Sequence, residues 1–148
     1  MKSINLVRVS RLLALAVLLA ALGVRADDHL PAAGIAAYED GNYKQAMQSF
    51  AHALQADPQN SHLHHWLGKC YGRLAERGNW FKSMSYARKT LKQFRKAVEL
   101  DVNNHEALRD LIDYLETAPG FLGGNRKEAK RLGLRMQELQ KIRTASNE

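Results

Sequence analysis

Three residues of one stretch return unchanged 44 positions later, and two more return as other apolar residues. Phe50, Ala53, Leu54, Ala56 and Asp57 are answered by Phe94, Ala97, Val98, Leu100 and Asp101. Gly34 is answered by Gly68 after only 34 positions, so the second copy gains ten residues before its latter half. A third, fainter copy follows: Leu108, Leu111, Ile112 and Leu115 lie 44 residues after His64, Leu67, Gly68 and Tyr71. A chain that repeats at such a period is made of small units, each with too little apolar area to hold itself together. Neighbouring units must stack to make a core.

Each unit reads as two helices. In the first, the small residues Ala32, Ala33, Gly34, Ala36 and Ala37 precede the turn Asp40-Gly41-Asn42. Tyr43, Ala46, Phe50, Ala53 and Leu54 then recur at steps of three and four, which puts them on one helical face. Asp57-Pro58-Gln59-Asn60 ends that helix, since proline cannot continue it. In the second unit His64, Leu67, Gly68, Tyr71 and Leu74 share a face, and Arg77-Gly78-Asn79 ends the helix. The next is expected from near Met84 to Leu100, with Ala87, Leu91, Phe94, Ala97 and Val98 inward. The third unit has a helix over Glu106 to Glu116 and another from near Arg126 to Ile142, with Ala129, Leu132, Met136 and Leu139 on its seam. Between them Ala118 to Gly124 holds one proline and three glycines and cannot be helical. There Asn125 is expected to cap the last helix and Phe121-Leu122 to tuck onto the core. No stretch alternates as a strand would.

These positions resemble the tetratricopeptide repeat, whose pattern is W-x2-L-G-x2-Y, then A-x3-F, then P. The first unit has Gly34, Ala46-x3-Phe50, Ala53 and Pro58, with Leu30 and Ala37 in the Trp and Tyr places. The second has Leu67-Gly68-x2-Tyr71, Phe94 and Ala97, with His64 in the Trp place, Trp66 two residues on, and Val102 instead of proline. The third lacks the glycine and has Gly133 where the aromatic is expected. The resemblance implies an all-α solenoid, a right-handed superhelix of three antiparallel helix pairs over residues 27–60, 61–104 and 105–143, followed by a short tail, 144–148. It also implies one continuous interior, a glycine that lets the two helices of a pair close up, an aromatic that plugs the gap beside the next pair, and a groove lined by the first helices. No catalytic residues and no cofactor come with such a fold; a protein or peptide partner does.

Ahead of the repeats stands a different kind of sequence. Lys2, Arg8 and Arg11 precede an apolar run of 11 residues, Leu12 to Leu22, and Val24-Arg25-Ala26 precedes Asp27-Asp28. This is the three-part pattern of a secretory signal peptide with cleavage after Ala26, and the run is too short for a membrane-spanning helix, which needs about 20 residues. A periplasmic or secreted protein is expected. Removing residues 1–26 lowers the formal charge from +7 to +3, which weakens nucleic acid as a partner. The single cysteine, Cys70, cannot form an internal disulfide and is expected as a small buried hydrophobe.

Three sets of residues are candidates for contact. His65, Lys69 and Arg73 form a stripe opposite the Leu67-Tyr71-Leu74 seam, and Arg109, Asp113 and Glu116 form its equivalent in the third unit. Such a groove can take an acidic segment or a terminal carboxylate, although a solvated charged face is the plainer reading. Some family members hold a peptide's carboxylate with Lys and Asn; here Lys69 and Asp113 stand where Asn is wanted, against that clamp. Second, Lys69 to Lys96 holds nine Lys or Arg and only Glu76 as acid, with Trp80, Phe81 and Lys82 in the added segment. A basic, aromatic-tipped loop can meet an anionic lipid surface, a phosphate-bearing partner or another protein. Packing of Trp80-Phe81 over the longer helix is the reading favoured. Third, His62 and His65 have metal-sharing spacing, but nothing completes a ligand set, so His64 is assigned to the core, the others to solvent, and no metal is expected. No nucleophile elbow or phosphate-cradling motif is present: Gly123-Gly124-Asn125-Arg126 lacks the Gly-Lys-Ser/Thr ending. The function expected is a non-catalytic interaction module. The alternative is a carrier of lipid or another hydrophobic ligand.

Overall fold

The computed structural model describes residues 30–145. The expected leader, residues 1–26, lies outside the described residues. Six α-helices follow one another: α1 Ala32–Glu39, α2 Tyr43–Ala56, α3 Ser61–Glu76, α4 Trp80–Leu100, α5 His105–Thr117 and α6 Arg126–Ala145, with a 3-10 turn at Gly120–Leu122 before α6. Among the described residues there is no strand, and no helix is long and apolar enough to cross a membrane. The helices pack mainly in chain order, each on the next.

Asparagines set the starts. Asn60, Asn79 and Asn104 stand before α3, α4 and α5, and their side chains accept hydrogen bonds from the amides of Leu63, Lys82 and Ala107. Asn125 does the same for Glu128 at the start of α6, as expected. Each such cap is worth about 1 kcal/mol. Two corrections to the element bounds follow. The ten residues gained by the second unit are not a loop: α4 starts at Trp80, four residues ahead of Met84, and runs for 21 residues. With Asn79 capping and no helix breaker in Trp80-Phe81-Lys82-Ser83, nothing stops the helix from starting early. At the other end α6 extends through Ala145, beyond the expected start of the tail at residue 144.

Glycine and aromatic interlock within the first two pairs. A Cβ at Gly34 would lie 3.1 Å from the Phe50 ring, and one at Gly68 would lie 2.6 Å from the Phe94 ring. Both rings are buried. At Gly68 a larger residue must displace the ring; at Gly34 it presses on Ser49 and Phe50, which must give by a few tenths of an ångström. In the third pair Gly133 meets nothing. Glycine serves there in the loop instead: Gly123 has a positive φ of 95°, and a Cβ at Gly124 would collide with the carbonyl oxygen of Ala118.

The interior is divided, where one continuous core was expected. Ala37, Ala46, Phe50, Leu63, Leu67 and Cys70 form one cluster, and Phe94, Leu108, Leu111, Ile112, Leu115 and Ala129 form another. A polar seam joins them. Ser61 Oγ donates to the Ala97 carbonyl (2.9 Å) and accepts from Asn104 Nδ2 (2.8 Å). Both residues are buried, and such satisfied groups fix one register between repeats. Cys70 lies within the first cluster, fully buried, and burial pushes its thiol up to about 12.

Candidate functional site

A shallow open groove of about 280 Å³ runs across the first helices of the three pairs. Tyr38 comes from α1, Lys69 and Arg73 from α3, and Asp110, Asp113 and Thr117 from α5. Thr90 and Phe94 of α4 close its floor. The α3 wall also carries Glu76, which pairs with Arg73, so Lys69 is its uncompensated cation, and the facing α5 wall is anionic.

An aromatic train holds the cationic wall. Phe50 stacks on Trp66 (5.5 Å between centroids), Trp66 meets Tyr38 edge-on (5.3 Å), and Tyr38 meets Tyr43 (5.1 Å). Lys69 Nζ sits 4.0 Å above the Trp66 ring and 5.4 Å above Tyr38. Arg73 lies over Tyr43, donates through Nε to the Tyr43 hydroxyl (3.3 Å) and through Nη1 to Glu76 (2.9 Å). These contacts make the two cations part of a fixed surface and leave Lys69 without a carboxylate partner among the described residues. Burial raises the Tyr38 hydroxyl above its ordinary value, so it stays a neutral donor.

The structure redistributes the candidates. Lys69, Arg73 and Asp113 meet in the groove. His65 does not line it: the residue is 1 % exposed, and its Nε2 donates to Asp110 Oδ2 at 2.7 Å from beneath the groove. Its Nδ1 is buried with no hydrogen-bond partner. His64, assigned to the core, is instead half-exposed, with Nδ1 2.6 Å from Gln93 Oε1. The two histidines exchange places because α5 packs over α3, so the inward face of α3 carries Leu63, Leu67, Cys70 and Leu74. Arg109 is exposed and does not line the groove. On α5 the groove face is Asp110, Asp113, Tyr114 and Thr117, one position round from the stripe read in the sequence. Asp110 and Tyr38 were missed; the sequence signal for Asp110 was its place one residue past Arg109, visible only once the helix rotation is known.

The basic aromatic segment also differs from expectation. Trp80 and Phe81 do not pack down: they are 65 % and 79 % exposed at the first turn of α4. Phe121, expected on the core, is 61 % exposed and meets Trp80 at 6.5 Å. The early start of α4 projects the pair past the end of the α3 face. Lys82 lines a second cavity, formed by the α1–α2 and α3–α4 turns. Among the described residues no group of three or more His, Cys, Asp or Glu is placed to hold a metal.

The all-helical fold of stacked pairs is what the repeat pattern implies. The tetratricopeptide repeat model aligns with residues 37–76, from the end of α1 through α3. Over that stretch the chain is similar to a tetratricopeptide repeat. No curated protein matches the chain closely enough to add a substrate or partner. Such a repeat supports a protein-interaction module in general.

Proposed function

We propose that the chain acts as a non-catalytic tetratricopeptide module that holds a protein segment in the α1–α3–α5 groove, in the periplasm or outside the cell. The carrying observation is the groove's pair of opposed walls, Lys69 with the Arg73–Glu76 pair against Asp110 and Asp113, with Lys69 fixed on aromatic rings and without a carboxylate partner among the described residues. A run of acidic residues suits this badly, because it would meet two carboxylates; a segment of mixed charge suits it well. The location rests on the leader pattern of residues 1–26. The carrier alternative has less support: the groove is open and its rims are charged, whereas a hydrophobic ligand calls for an enclosed apolar cavity.

The test is a comparison of cell-envelope proteins retained by the wild-type chain and by the charge-reversed variant Lys69→Glu, Asp113→Lys. A partner lost in the variant supports the groove. A partner retained equally by both removes it.

A further inference from the structure

The second cavity has a chemistry of its own. It is about 560 Å³ in volume and lies at the end of the molecule where the α1–α2 and α3–α4 turns meet. Lys44, Arg77 and Lys82 line it, and no carboxylate does. Glu76, the acid nearest in sequence to Arg77, is turned to Arg73. Lys44 and Lys82 make no ion pair among the described residues, so their charges are uncompensated. Arg77 is fixed in place: its guanidinium lies 4.5 Å above the Tyr43 ring, and Nη1 donates to the Gly41 carbonyl (3.1 Å). Its other donors remain for a ligand. Leu74 and the rings of Tyr43 and Tyr86 give the cavity an apolar wall. Asn42 makes no side-chain cap on α2, so the first amides of that helix add partial positive charge on the same side.

We infer that this cavity binds a phosphate-bearing ligand. Three cations held about a concave site, one pre-oriented by a ring and a carbonyl, with no acid among them, match a dianionic group better than a carboxylate or a neutral molecule. The volume suits a small phosphorylated molecule or the headgroup of an anionic phospholipid, and the two sources share the same recognition chemistry. The site is separate from the groove, so neither proposal depends on the other.

The experiment is a titration of the whole chain with inorganic pyrophosphate by calorimetry, at low and at raised salt, together with sedimentation against phosphatidylglycerol vesicles. Lys44→Ala with Lys82→Ala changes two exposed side chains and spares the fold; Lys69→Ala in the groove is the control. The expected result is pyrophosphate binding that weakens with salt, falls at least tenfold in the double variant and is unchanged in the control. Pelleting that is lost in the double variant and displaced by pyrophosphate assigns the ligand to a lipid headgroup. Pyrophosphate binding without pelleting assigns it to a soluble phosphate compound. No pyrophosphate binding, binding unaltered by the double variant, or pelleting that survives it overturns the inference; the last outcome would place membrane contact on Trp80 and Phe81 instead.

Discussion

The first two helix pairs and the last are built on different principles. In α1–α2 and α3–α4 a glycine of one helix receives an aromatic ring of the other, Gly34 with Phe50 and Gly68 with Phe94, and the rings are buried. In α5–α6 the inward face of α5 is rich, with Ala107, Leu108, Leu111, Ile112 and Leu115 all buried, but α6 offers only Ala129 as a fully buried residue. Leu134 and Ile142 are more than half exposed. Leu132 and Met136, partly buried, pack with Ala129 on the second cluster, and polar contacts add to them: Arg95 grips Glu128 through two hydrogen bonds of 2.7 and 2.8 Å, and the Asn125 amide donates to the Leu115 carbonyl. The Tyr114 hydroxyl ties the intervening turn, at 3.0 Å from the Leu122 carbonyl. A glycine–aromatic contact closes the first two pairs, whereas the last pair joins a thinner apolar seam to an ion pair, so the two ends should respond differently to mutation, acid and salt.

The largest effect is expected from Phe94→Ala. Phe94 sits in the second cluster and also meets the His65 ring at 5.8 Å, so its loss opens both the pair and the seam between clusters. A destabilisation of about 3–5 kcal/mol by urea unfolding is expected. Gly68→Ala comes next, at about 1–3 kcal/mol, because the added methyl must displace the Phe94 ring. The matching change in the last pair has the opposite sign. Gly133→Ala meets no neighbour and removes a flexible residue from a helix interior, so a gain of about 0.5–1 kcal/mol in the same measurement is expected. Equal losses at Gly68 and Gly133 would erase the contrast.

The smallest effect belongs to Glu128→Gln. Arg95 is nearly half exposed, so solvent screens the pair and a loss below about 1 kcal/mol is expected. Its signature is pH dependence. The hydrogen bonds from Arg95 hold the Glu128 carboxyl below its ordinary value of 4.5. A depressed folded value means that the contribution is present above the unfolded carboxyl's range and is given up as pH falls through the folded value. Wild type and Glu128→Gln should therefore differ in stability at pH 7 and converge in acid; a difference that is unchanged by acid would show that Arg95 does not act through the carboxylate.

The helices were legible in the sequence because their signals are local. Proline after Asp57, turn residues and steps of three and four marked the helices found among the described residues, and Asn125 was legible as a cap. The close approach at Gly34 and Gly68 was implied by the repeat pattern, but the aromatic was expected beside the next pair, whereas Phe50 and Phe94 lie against the glycine of their own pair. The rotation of each helix was less legible. A shift of one position separates Arg109 from Asp110, and periodicity alone does not fix it when polar residues such as His65 are drawn inward by a partner on another helix. The early start of α4 was hidden for another reason. Trp80 and Phe81 look like core residues, but they occupy a helix turn met only by the exposed ring of Phe121 among the aromatic contacts of the described residues. The basic cavity joins residues from α2 and the α3–α4 turn more than 30 positions apart, which no spacing in the chain announces.

The claim on which the rest depends is that glycine and aromatic ring lock the paired helices. The direct measurement is a double-mutant cycle of Gly68→Ala and Phe94→Ala by equilibrium unfolding. Gly68→Ala should be costly in the native chain and nearly neutral, or mildly stabilising, once the Phe94 ring is gone, giving a coupling of at least about 1 kcal/mol. Additivity of the two changes within about 0.5 kcal/mol would mean that the two residues do not press on each other, and would contradict the account.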